Sequence, residues 1–147
     1  MSITCRPISS ERHLDFIVSR GAASFLQTPA WARVKKDWRG ESVGFFDGDD
    51  LTGVGLVLYR QLPKLKRYLA YLPEGPVLDW ARSDVDAHLQ ALVAFAKERR
   101  AFAVRIGPAF AHRRWLPATI KAAIADDAVT RLSQVEPDET VLVGTRV

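Results

Sequence analysis

The stretch SDVDAHLQALVAFAKERRAFAVRIGP, residues 83–108, carries the clearest helix of the chain and the strand that follows it. Leu89, Leu92, Val93 and Ala96 recur at helical spacing over 83–100 and predict its buried stripe. Ser83 is a capping residue type. Asp84 and Asp86 fall in the first turn, and Lys97, Arg99 and Arg100 in the last, so the charges complement the helix dipole. Residues 102–106 are rich in aromatic and β-branched side chains and predict a strand, closed by Gly107-Pro108.

Upstream, residues 42–46 and 51–62 predict two strands joined by the turn Asp47-Gly48-Asp49-Asp50, a hairpin. Gly53 and Gly55 interrupt the second strand and signal a bulge or a close backbone approach. A third strand is expected over 67–72. Pro73-Glu74-Gly75-Pro76 breaks it, and 77–80 follow as a short extended piece. Nearer the N-terminus, 11–20 predict a short helix bearing Leu14, Phe16, Ile17 and Val18, ended by Gly21. Thr28 and Pro29 suit the cap and first position of a second helix. Trp31, Val34 and Trp38 would share one face of it, with Lys35 and Lys36 near its C-terminal end. Downstream, 117–125 predict a helix, and 130–134 and 140–143 predict strands. This order specifies a mixed α/β (α+β) protein, a sheet with helices packed on it.

The 147 residues suffice for one domain with a core, and 48% hydrophobic with 26% charged residues is ordinary globular composition. A net charge of +4 tends towards anionic partners without choosing among nucleic acid, phosphorylated metabolites and acidic lipid surfaces. One cysteine, Cys5, cannot form an internal disulfide and fits a reducing compartment. His13 lies closest to it in sequence, and nothing ties the two, so Cys5 reads as a bystander thiol. Three histidines and one cysteine without ligand spacing argue against a metal site, and no cofactor is implied. The first eleven residues lack the apolar core of a secretory signal, and no apolar run is long enough to span a bilayer. The expected location is the cytoplasm, with room for work at the inner face of the cell membrane.

Three segments together carry a resemblance. They are Phe25-Leu26-Gln27 with Trp31 and Val34-Lys35; Leu58-Tyr59-Arg60 running into the stretch from Tyr68 to Trp80; and Phe102 with Val104-Arg105-Ile106-Gly107-Pro108. In order and spacing, over about residues 20 to 110, the set resembles the first half of the Fem-type (FemABX) peptidoglycan aminoacyltransferases. The resemblance implies a GNAT-like domain, the first of two, with Val147 falling about where the first hands over to the second. It implies transfer of an amino acid from aminoacyl-tRNA to the stem peptide of a peptidoglycan precursor. That precursor is a nucleotide- or lipid-linked muropeptide carrying a diphosphate, and a peripheral membrane contact would accompany the lipid-linked form.

By the same resemblance Lys35 is a diphosphate contact, a point charge suited to phosphate oxygens, with Lys36 its weaker neighbour. The bland alternative is a solvated lysine on an amphipathic helix. Trp38 and Phe102 resemble positions near the muropeptide, where flat rings meet sugar or base; core packing is the competing role. Arg105, a charge inside an apolar strand, must point outward or find a partner, and can serve an anionic substrate or a neighbouring carboxylate. Many relatives carry Asp where this chain has Gly107, and Gly107 cannot act as acid or base. No catalytic residue is assigned, and the chain by itself is expected to be inactive.

Two other readings compete. An acyl-CoA-dependent acetyltransferase needs a glycine-rich phosphate turn before a helix. Gly53-Val54-Gly55 lies inside a strand pattern, and Arg60-Gln61-Leu62-Pro63 lacks the glycines. A non-catalytic tRNA- or muropeptide-binding module would use the basic cluster His112-Arg113-Arg114-Trp115, which suits a charged loop equally well.

Overall fold

The protein is described here from a computed structural model covering residues 2–140. Its chain begins with a strand not foreseen above, β1 (Ile3–Pro7), in which Ile3 is buried and Cys5 half-buried. Helix α1 (Ser10–Ser19) opens on Ser9, whose hydroxyl accepts the Arg12 N–H at 3.1 Å. A 3-10 turn (Phe25–Gln27) and helix α2 (Pro29–Val34) follow. Then come β2 (Arg39–Asp47), β3 (Asp50–Gln61), β4 (Tyr68–Leu72), α3 (Val85–Glu98) and β5 (Ala101–Ile106). The strands form one sheet in the order β1-β2-β3-β4-β5. Neighbours run antiparallel except β4 and β5, which are parallel and joined through α3. This is the mixed sheet with packed helices that the sequence predicts.

Strand alternation assigns the two faces. Val43, Phe45, Val57, Tyr59, Ala70 and Leu72 point to one side and form the core with Leu92, Phe95 and Ala96 of α3. The buried stripe of α3 is Val85, His88, Leu92, Phe95 and Ala96 rather than the expected one. Val93 is 40% exposed and Leu89 only half-buried, because Phe95 and His88 rotate the contact line. His88 is satisfied at both ring nitrogens, by the Thr52 hydroxyl and the Asp84 carbonyl, each at 2.9 Å. The other face receives α1 and α2. His13 bonds Ser42 at 2.9 Å, and Ala32 packs where a Cβ on Gly40 would fall.

The β3–β4 ladder is interrupted. It runs from Gln61↔Tyr68 to Leu58↔Tyr71, and resumes as a single bridge at Val54↔Val77. In between stands Gln27, fully buried. Its Oε1 accepts the Leu56 N–H at 3.0 Å, and its Nε2 donates to the Pro73 carbonyl at 2.6 Å. The side-chain amide thus replaces a missing strand peptide and satisfies two main-chain groups that would otherwise be orphaned. Gly75 lies directly beneath it, and a Cβ there would overlap Gln27. The same close-approach logic holds at Gly53, where a Cβ would meet Leu78. The sheet irregularity between Phe45 and Phe46 lies next to it.

Past β5 the chain forms a small ribbon, β6 (Arg113–Arg114) against β7 (Glu139–Thr140), around α4 (Pro117–Ile124). Residues 130–134, expected as a strand, instead end in a 3-10 turn over Leu132–Gln134. Gln134 Oε1 there accepts the N–H groups of Thr130 and Arg131, a local bonding that competes with a ladder. Of the strand expected over 140–143, residues 141–143 lie outside the described residues.

Gln27→Leu leaves the Leu56 N–H and Pro73 carbonyl buried without partners and is expected to cost about 3 kcal/mol in urea unfolding. Gly75→Ala is expected to cost about 2 kcal/mol by overpacking against Gln27. In a Gln27→Ala background that second penalty should shrink, so the pair will be non-additive. A second expectation concerns pH. Burial holds the His13 pKa down at about 4 against 6.5, the Gln27 backbone opposing it weakly. The unfolded chain then takes up the proton first, so stability is complete above pH 6.5 and declines as pH falls towards 4. The loss should reach about 3 kcal/mol by pH 4, and a His13→Gln chain should lose that slope.

Candidate functional site

A recess of about 200 Å³ lies on the α2 side of the sheet, lined by Leu26, Trp31, Lys35, Trp38, Leu58, Tyr71 and Pro73. Its place follows from the interrupted ladder, since Leu26 adjoins Gln27 and Pro73 accepts its amide. Helix α2 supplies Trp31. It ends at Val34 because Lys35 leaves helical geometry at ψ 65, and a turn closed by the Trp38 N–H on the Lys35 carbonyl (2.9 Å) leads down to β2. Trp38 therefore reaches the recess from a turn and not from the helix face expected for it. Val34, expected on that same inward face, is 63% exposed.

Each of the three aromatic rings in the lining carries one cation. Lys35 Nζ lies 5.2 Å from the Trp31 ring, the Arg60 guanidinium 5.6 Å from Trp38, and the Arg105 guanidinium 5.4 Å from Tyr71. Trp38 and Tyr71 stand 6.2 Å apart, and Phe25 meets Trp31 edge-on at 5.5 Å. Among the described residues none of the three cations has a carboxylate within ion-pair distance. Elsewhere Arg82 pairs with Asp84 at 2.6 Å, Arg114 with Glu139 at 3.1 Å, and Arg99 with Glu41 through two bonds of 2.6 and 2.9 Å, while Arg6, Arg12, Arg20 and Arg39 lie over rings as the recess cations do. The recess is thus largely apolar in its walls, with Lys35 in the lining and Arg60 and Arg105 beside its Trp38 and Tyr71 rings. It suits an anionic ligand with a ring-sized group.

Of the sequence candidates, Lys35 and Trp38 line the recess, and Arg105 lies outside the lining with its guanidinium 5.4 Å from the Tyr71 ring. Phe102 does neither. It is the extra residue where the β4–β5 register shifts, 47% exposed, near the start of β5 and outside the lining. Trp31, Tyr71 and Arg60 were not singled out as site residues. The signal that could have found them is the two-residue period placing Leu58 and Arg60, and Leu69 and Tyr71, on one face. Arg105 is paired with Tyr71 across the ladder.

The recess lining holds no carboxylate and no histidine. Cys5 is on the α3 side, where burial pushes its thiol up to about 12, so it offers no thiolate at neutral pH. The basic cluster at 112–115 is partly consumed locally: Arg114 pairs with Glu139, and the Trp115 indole donates to the Val135 carbonyl at 3.0 Å. A larger recess along the outer side of α3 is walled by that helix alone, with Asp86, Gln90 and Lys97 beside Leu89, Val93 and Ala94.

The model of the FemAB family matches residues 8–132. The chain belongs to the FemAB family. It is 31% identical over 107 residues to the lipid II:glycine glycyltransferase of Staphylococcus epidermidis, covering 69% of this chain and 25% of that protein. Against the lipid II:glycine glycyltransferase of Staphylococcus saprophyticus it is 29% identical over 104 residues, with the same coverage. The crystal structure of FemX superposes with a TM-score of 0.63 at 28% identity, over 72% of this chain and 27% of that one. The chain spans about a quarter of the length of these relatives. The family resemblance drawn from the three sequence segments is therefore confirmed.

Gly107 has open space: a Cβ there meets nothing within 4 Å. It follows Arg105 by one strand period. Gly107→Asp is expected to leave the unfolding midpoint within about 0.5 kcal/mol of the parent, checked by urea titration.

Proposed function

We propose that this chain provides part of the precursor-binding site of an aminoacyltransferase. The enzyme would move an amino acid from aminoacyl-tRNA to the stem peptide of a peptidoglycan precursor. One observation carries the reading: each of the three aromatic rings lining the recess bears a cation that has no ion-pair partner among the described residues, in a member of the FemAB family. The diphosphate of the precursor supplies the anion, and its sugar the ring-sized group that aromatic walls accept. The relatives' names favour a lipid-linked acceptor over a nucleotide-linked one, and with it a contact at the inner membrane face.

In the reaction the acceptor amine attacks the ester carbonyl of the aminoacyl-tRNA, already activated; the amide bond forms as the ester C–O bond breaks, and the ribose hydroxyl of the tRNA leaves with the proton that the amine gives up. The protein's tasks are to align the amine, let its proton leave and stabilise the oxyanion. The recess lining offers no carboxylate and no histidine for the second task. Its residues act by binding: Lys35 and Arg105 hold charge, while Trp31, Trp38 and Tyr71 exclude water and fix the ring. On this reading the chain is the first domain of its protein. Alone it binds the precursor without completing transfer.

Lys35→Ala in the complete enzyme is expected to raise the dissociation constant for the precursor about tenfold, measured by calorimetry. An unchanged affinity would remove Lys35 from the site.

A further inference from the structure

The turn between β3 and β4, Leu62-Pro63-Lys64-Leu65-Lys66-Arg67, is closed by the Leu62 N–H on the Arg67 carbonyl at 3.0 Å. Lys64, Lys66 and Arg67 are exposed, and Leu65 between them is 56% exposed. The ladder sets further cations beside this turn. Tyr68 opens β4 opposite Gln61 and Ala101, and its N–H meets the Arg100 carbonyl at 3.2 Å, so the end of α3 with Lys97, Arg99 and Arg100 comes alongside. Arg39 opens β2 and lies over the Tyr59 and Tyr68 rings, at 4.7 and 5.4 Å. Segments 39–41, 60–67 and 97–100 thus form one end of the sheet, with eight Lys and Arg against Glu41 and Glu98, a balance of +6. Segments 47–50 and 74–86 form the other end, with seven carboxylates against Arg82, a balance of −6. The whole chain carries only +4, so the basic end reflects segregation of charge and not composition. Two of its cations also stand where the backbone favours glycine, Lys64 at φ 66 and Arg100 at φ 63. Each bears a steric cost that glycine would avoid.

We propose that this end of the sheet docks on an anionic lipid bilayer, its cations meeting the phosphate headgroups and Leu65 entering below them. Two observations choose a bilayer over RNA. An apolar side chain at the tip of a basic turn gains by leaving water in a bilayer and gains nothing from a phosphate backbone. RNA-binding surfaces add open aromatic faces, whereas here Tyr59 is buried and Tyr68 is half-buried with Arg39 over its ring. The docking stands on charge and on Leu65; its use to the protein rests on the precursor reading above. Leu58 and Tyr71 of the recess are three rungs, about 10 Å, from the Gln61–Tyr68 pair at this end. Docking therefore carries the recess to the surface where a lipid-linked acceptor presents its polar head.

The test is sedimentation of the chain with phosphatidylcholine vesicles, with and without one-third phosphatidylglycerol and with no precursor present. Binding should require the anionic lipid and weaken with salt. Lys64→Gln with Lys66→Gln should weaken it roughly thirtyfold, and Leu65→Ser about tenfold. Removing two cations elsewhere, by Lys121→Gln with Arg131→Gln, should change it less than about threefold. Lys64→Gly should weaken vesicle binding while leaving the urea midpoint at or above the parent's, a pairing that damage to the fold would not produce. Failure of the parent to bind anionic vesicles, or an equal loss from the Lys121 and Arg131 pair, would overturn the surface. So would tRNA binding that needs Lys64 and Lys66 but ignores Leu65→Ser, which would give this end to RNA. A soluble nucleotide-linked muropeptide separates the two readings. Vesicle docking by a parent chain that does not bind the muropeptide would uphold this surface and overturn the acceptor.

Discussion

The amide of Gln27 holds open the place where β3 and β4 part. Strand β4 turns away at Pro73, and the Leu56 N–H and Pro73 carbonyl would face each other across a gap too wide to bond. One side-chain amide bonds both, at 3.0 and 2.6 Å, in a fully buried position. A buried unpaired peptide group is costly, so this replacement fixes where the 3-10 turn must sit. It also fixes Gly75, since no side chain fits beneath the amide. The next residues along the chain, Pro29 to Lys35, build the recess on that anchor. The break in the β3–β4 ladder and the candidate site are consequences of the same contact.

Charge is distributed in the same economical way. Arg99 bridges β2 and the end of α3 through Glu41, which also accepts the Tyr59 hydroxyl at 3.1 Å, while Arg6, Arg12, Arg20 and Arg39 are held over rings. The cations at the recess are matched to rings and to no carboxylate. Cation–π contact stabilises a side chain's position without cancelling its charge, so the rim stays attractive to an anion. Such a site is preorganised by its rings, and a ligand need not displace an existing ion pair to enter.

Much of this was legible in the sequence, and the exceptions have physical reasons. The hairpin, the third strand, the α3–β5 unit and the helix after Pro117 follow from periodicity and punctuation. Strand β1 was missed because five residues with Pro7 at the end give too short an alternation. The inward face of α3 was misjudged because a polar residue, His88, is buried there at the cost of two hydrogen bonds, a trade that hydrophobicity cannot reveal. The family resemblance points to Lys35 and Trp38, which line the recess, and to Arg105 beside the Tyr71 ring; the places of Arg60 and Tyr71 need the register. Phe102 lost its place by a register shift of one residue, and no single-sequence pattern announces that. The role of Gln27 depends on a contact across 46 residues, beyond any local signal.

Four tryptophans make the central claim directly measurable: Trp31 and Trp38 line the recess, while Trp80 and Trp115 lie outside it. The indole N–H resonances should be followed while the chain is titrated with a nucleotide-linked muropeptide. The account predicts saturable shifts at Trp31 and Trp38, with Trp80 and Trp115 unmoved. Shifts confined to Trp80 or Trp115, or none at any of the four, would contradict it.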